Sequence, residues 1–139
     1  MSTTYIPAEL RRLVYERARG RCEYCLIPET VVLVSHQVDH IIAEKHGGLT
    51  EADNLALSGA VCNKHKGIDL ASIDPDTGQI VALYHPRRDK WSEHFRLTGA
   101  KLMPLTPIGP VTVKLLQLNR AERVEERQLL IAAKLLPVY

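Results

Sequence analysis

Aromatic residues are scarce in this chain, at 5% of 139 residues, with a single Trp and a single Phe. Its core must therefore be built mostly from aliphatic side chains. No apolar run approaches the roughly eighteen residues of a membrane span, so neither a transmembrane helix nor a membrane partner is expected. Residues Met1 to Leu10 lack the charged start and apolar centre of a secretory signal, which makes the cytoplasm the expected location. Cysteine is limited to Cys22, Cys25 and Cys62. An odd count without a secretory signal argues against a disulfide framework. Cys22-x-x-Cys25 also has no βαβ pattern around it, which argues against thioredoxin-like redox work. Neither sign of charge dominates: the net charge is +2, which alone does not argue for a nucleic-acid partner.

Hydrophobic content of 45% and charged content of 24% are ordinary for a globular protein, and the length suits one domain over residues 1–139. The distribution of basic residues says more than their number. Arg11, Arg12, Arg17, Arg19 and Arg21 lie just before the CxxC, Lys64 and Lys66 lie close together, and Arg87, Arg88 and Lys90 form a third cluster. Each could neutralise phosphates. For each cluster taken alone, a solvated face is the simpler reading; Lys66 is the exception, because it lies one helical turn from Asn63.

The densest chemistry lies between His36 and Gly67. Val31 to Val34 and Val38 form an apolar, β-branched run that predicts a strand ending at Asp39-His40. Residues 43–53 are polar and contain Gly47-Gly48, which predicts a loop. Asn54 to Leu57 alternates as a half-buried strand does. Gly59 to Lys66 predicts a short helix ended by Gly67. Asn54 follows His40 by fourteen residues, and Asn63 follows Asn54 by nine.

This constellation resembles the HNH endonuclease motif, in the variant whose third letter is Asn. The resemblance covers about residues 20–67. It implies an α+β protein with a ββα-metal core, an N-terminal helix, and a C-terminal extension of hairpins and helices over about residues 68–139. It implies His40 as general base, Asp39 and Asn63 as metal ligands, and Asn54 as the residue that orients the base and its loop. His is the side chain whose pKa suits base catalysis near neutrality. An Asp oxygen with an Asn carbonyl is a hard donor set, suited to Mg2+ or Mn2+. Asp39 and His40 are neighbours on a strand and would point to opposite faces, unless the strand end twists or bulges. His65 is an alternative third ligand, but it projects about 200° from Asn63 on a helix. DNA is the expected partner, contacted by Lys64, Lys66 and Arg21; RNA is not barred by the motif. Cleavage would leave a 5′ phosphate and a 3′ hydroxyl.

Related HNH proteins pair a CxxC knuckle with a second CxxC that frames the helix, giving a four-Cys zinc site. Here the second pair would be residues 59 and 62, and position 59 is Gly. Three thiolates with water, or with His36 or His65, could still hold Zn2+; otherwise the three Cys pack as small apolar residues. Two rival functions follow: an inactive HNH scaffold that binds nucleic acid, and a zinc-knuckle interaction protein.

Elsewhere, Pro7 to Arg19 predicts a helix with Leu10, Val14 and Ala18 facing the core. Ser72 to Leu83 predicts a hairpin turning at Asp74 to Gly78, with its carboxylates as turn formers. A second hairpin is expected about Thr98-Gly99, and a helix beginning at Thr106-Pro107. Asn119 and Glu122 read as a capping box that starts a last helix from Arg120 to about Leu136, stopped by Pro137, with its mixed charges on a solvated face.

Overall fold

The computed structural model describes residues 4–136. The chain divides into two compact units, Met1–Asp69 with His85–Arg88, and Leu70–Tyr84 with Asp89–Tyr139.

The first unit opens with α1 (Ala8–Ala18), whose N-cap is Pro7 and whose end is marked by Arg19 and Gly20 with left-handed φ of 56° and 69°. Val14 is fully buried in a cluster with Ile6, Leu55 and Leu57, against which Leu10, Ala18 and Val38 pack. The expected stripe is therefore core, and each fully buried aliphatic stabilises the unit by roughly 1.5–3 kcal/mol. Strand β1 (Gln37–His40) pairs antiparallel with β2 (Leu55–Ser58), and α2 (Ala60–Lys66) follows directly from Gly59. Two strands joined by a long loop, then a helix, are the expected ββα order.

The first strand is shorter than its apolar run predicts. Residues 29–31 form a 3-10 turn, and Val31, Leu33 and Val34 are exposed. Strand propensity is realised only where a partner edge exists, and β2 offers four residues, all taken by Gln37 to His40. The segment is held instead by local bonds: Val31 and Val32 N–H donate to Pro28 O and Glu29 O, and Glu29 Oε2 accepts the His36 N–H at 2.9 Å.

The second unit holds two hairpins and three helices. Strands β3 (Ala71–Ile73) and β4 (Ile80–Ala82) pair across a turn in which Asp74 Oδ1 accepts the Asp76 N–H at 2.9 Å, as a turn former does. Helix α3 (Trp91–His94) leads into β5 (Phe95–Thr98), which pairs with β6 (Lys101–Pro104); α4 (Ile108–Leu115) and α5 (Ala121–Ala132) close the chain. Three expectations fail in this unit. Asn119 makes no cap: its Oδ1 accepts the Leu102 N–H at 2.9 Å and its Nδ2 donates to Leu102 O at 2.8 Å. The charges on α5 are not all solvated. Arg123 and Arg127 are buried and donate to the carbonyls of Leu116, Ala100 and Leu118. The last helix ends at Ala132, short of Leu136, and Pro137 lies outside the described residues.

Candidate active site

The β1–β2 ladder runs unbroken through Asp39↔Ala56 and His40↔Leu55, so no bulge separates the pair. Even so, both side chains line one cleft, because His40 sits at the strand's last position, where the chain turns away. His40 is almost wholly buried, and its Nε2 lies 2.8 Å from Thr50 Oγ1 and 4.0 Å from Glu44 Oε1.

Asn54 holds the loop that carries Thr50. Its Oδ1 accepts the Ile42 N–H at 2.9 Å, and its Nδ2 donates to Ile42 O and Leu49 O, both at 2.9 Å. It thus fixes the chain two residues after His40 and one residue before Thr50. It does not touch the imidazole; its hold on His40 runs through backbone. Gly48 makes this approach feasible, since a β-carbon there would lie 1.7 Å from Ile42 O and 2.8 Å from Asn54 Nδ2. Thr50 was missed by sequence reasoning. Only its nearness to the Gly-Gly loop could have drawn attention to it.

Helix α2 places Asn63 and Lys66, one turn apart, towards β1. The Asn63 Nδ2 donates to Gln37 Oε1 at 2.6 Å. Lys66 is buried, and its Nζ lies 3.9 Å from Asp39 Oδ2 and 3.5 Å from His40 O. Burial pushes the Asp39 carboxyl above its ordinary range, although Lys66 and His40 pull it down. Burial likewise pushes the Lys66 ammonium down, against the pull of Asp39. Asp39, His40 and Asn63 line a cleft of about 200 Å3, together with Ala43, Glu44 and Lys45.

Residues 22–68 match the model of the HNH endonuclease family. This segment is an HNH domain. Searches of curated proteins and of solved structures return no match. An HNH domain points to nuclease or nucleic-acid-binding function and to a divalent metal.

Within the HNH domain, the expected base and both expected oxygen ligands meet in one cleft. The expected phosphate contacts diverge. Lys64 is exposed, Lys66 is buried, and Arg21 is half-buried with Nη1 donating to Leu26 O at 3.3 Å. Arg11 and Arg17 donate to the carbonyls of Ile6 and Leu55, and Arg87 pairs with Glu23. A second depression, of about 570 Å3, is lined by His46 to Leu49 and by His85, Arg87 and Arg88.

The knuckle is also assembled. The Cys22 N–H donates to Ile27 O, and the Leu26 N–H to Cys22 O, closing a turn in which Leu26 takes a φ of 69°. The sulfurs of Cys22, Cys25 and Cys62 lie within 4.8 Å of one another, all buried. Cys62 reaches them from the face of α2 that points away from solvent. Without a cation, burial and then the side chain of Cys25 push the Cys22 thiol up to about 12, against a downward pull from Cys62. Three buried thiols so close together form a soft donor set that can hold a metal.

Proposed function

We propose that the protein is an endonuclease that hydrolyses phosphodiester bonds in DNA with the help of Mg2+ or Mn2+. One observation carries the reading: Asp39, His40 and Asn63 line the same small cleft, with the His40 ring tethered at one nitrogen. In the tautomer whose Nε2–H faces Thr50 Oγ1 and the Glu44 carboxylate, Nδ1 keeps its lone pair and is the atom that accepts a proton from water. The water oxygen attacks phosphorus, the bond from phosphorus to the 3′ oxygen breaks, and the products are a 5′ phosphate and a 3′ hydroxyl.

The residues present fit a hard cation. The Asn63 amide nitrogen is taken by Gln37, so its Oδ1, which accepts no hydrogen bond among the described residues, is free to join the Asp39 carboxylate as a ligand. A cation held by these two residues would neutralise charge on the scissile phosphate and the leaving oxygen. Exposed Lys64 and Arg88 are suited to neighbouring phosphates.

One observation favours the inactive, nucleic-acid-binding alternative: the Lys66 ammonium stands 3.9 Å from Asp39 and competes with a cation for it. The depressed Lys66 pKa works against that, because the proton is lost more readily as a cation enters. Plasmid nicking with Mg2+ or Mn2+, with wild type and His40→Ala side by side, tests the proposal. His40→Ala should cut roughly a hundredfold more slowly or worse while keeping its fold. Equal cleavage by the two proteins would sink it, and DNA binding without any cleavage by wild type would leave the binding module.

A further inference from the structure

The ground where a fourth cysteine of the knuckle would stand borders a histidine from elsewhere in the chain. A β-carbon built on Gly59 would lie 3.6 Å from Cys22 Cβ, so a side chain there would face the sulfur cluster. The same β-carbon would lie 3.4 Å from His36 Cε1 and 3.6 Å from His36 Nδ1. The imidazole of His36 therefore stands in van der Waals contact with position 59, beside Cys22; its nitrogens lie outside the group of three sulfurs, so the ring must shift inward to join them.

The protonation of that ring follows from its partner. His36 Nε2 lies 2.8 Å from Ile27 O. A carbonyl only accepts, so Nε2 carries the hydrogen and Nδ1 presents a lone pair. Nδ1 is buried and has no hydrogen-bond partner. A buried acceptor left unpaired is destabilising, and a metal ion removes that cost. An imidazole that donates its other N–H to a backbone carbonyl is also the usual arrangement of a metal-bound histidine. Ile27 itself belongs to the knuckle turn, where its carbonyl also accepts the Cys22 N–H. One carbonyl thus ties the histidine to the first cysteine. The backbone of His36 is pinned separately by Glu29.

We propose that His36 Nδ1, with the thiolates of Cys22, Cys25 and Cys62, completes a Cys3His structural zinc site, and that His36 takes the place of the ligand that Gly59 does not supply. Three thiolates and one imidazole form a closed tetrahedral donor set of the kind zinc takes in structural sites. The site is independent of the nuclease reading, since it uses neither Asp39 nor His40.

The test measures metal rather than cleavage. The full chain should purify with one zinc per molecule, with affinity read by competition against a chelator. His36→Ala should bind zinc at least about tenfold to a hundredfold more weakly. Adding Gly59→Cys to His36→Ala should restore the affinity, since Gly59 has an ordinary φ of −65° that cysteine can adopt. With Co2+ in place of zinc, the thiolate-to-metal absorption of the wild type should correspond to three thiolates, and that of the double variant to four. If His36→Ala proves too unstable to purify, His36→Cys serves: it should keep the metal and gain the fourth thiolate signal. Wild type that binds no zinc, or a His36→Ala chain with unchanged affinity and an unchanged cobalt spectrum, would overturn the proposal.

Discussion

Two asparagines, one in each unit, do the same physical job and carry opposite lessons. Asn54 exchanges two hydrogen bonds with the backbone of Ile42, and Asn119 exchanges two with the backbone of Leu102. In each case a side-chain amide imitates a paired strand residue and satisfies an N–H and a C=O together. Asn54 adds a bond to Leu49 O, which fixes the loop beside the His40 ring. Asn119 instead accepts from Arg127 Nη2 at 3.0 Å, which joins the hairpin of β5 and β6 to α5. The first clamp therefore acts on the position of a reactive group, whereas the second acts on packing alone.

The widest separation between the clamps should come from Asn54→Ala. It leaves part-buried backbone groups of Ile42 and Leu49 without their partner, at about 1 kcal/mol each. It also frees the loop that carries Thr50. Cleavage per folded molecule should fall about a hundredfold, because a displacement of about an ångström is enough for that. Full activity in a folded Asn54→Ala protein would break the comparison. Asn119→Ala should cost about 2–4 kcal/mol in denaturant unfolding and speed hydrogen exchange at the Leu102 amide, without changing the pH profile of cleavage; a shifted profile would give Asn119 a role in the chemistry. Thr50→Val removes the partner of His40 Nε2 and keeps the shape of the side chain. It should slow cleavage about tenfold, the equivalent of a single hydrogen bond, at nearly unchanged stability. The smallest effect is expected from Glu122→Ala. A capping box would lose about 1 kcal/mol, but Glu122 pairs only with exposed Arg120, so less than about 0.5 kcal/mol should be lost in the same unfolding measurement.

The core of the HNH domain was legible because its chemistry is local. Asp39-His40, Gly47-Gly48, Asn54 and Asn63 lie close enough in sequence for a resemblance to the HNH motif to show, and that resemblance, rather than strand geometry, implied that they meet. The Leu10, Val14 and Ala18 stripe and the Asp74 to Gly78 turn were legible because their patterns are local. Misreadings came where long-range partners decide. Val31 to Val34 have strand propensity but no edge to pair with. Arg123 and Arg127 look like a solvated face in sequence, yet they find backbone carbonyls inside the second unit. Asn119 has the spacing of a cap, and Leu102, seventeen residues away, takes its amide instead. Thr50 carries no motif, and the choice between His36 and His65 beside the knuckle is open in sequence until the orphaned nitrogen of His36 is seen.

Adjacent glycines in the loop after His40 differ in how much variation they can absorb. Gly47 has a φ of 89° with open space where a β-carbon would stand, so its constraint is conformational. Asparagine and aspartate tolerate that region better than other residues do. Gly48 is constrained by contact: any side chain would drive its first carbon into Ile42 O and the amide of Asn54. In a randomised library selected for cleavage, position 47 should return glycine with a minority of Asn and Asp. Position 48 should return glycine alone, so two letters that look redundant in sequence would carry unequal information. No single change in the Asn54 side chain should release that constraint, because the nearest clash, at 1.7 Å, is with the backbone oxygen of Ile42.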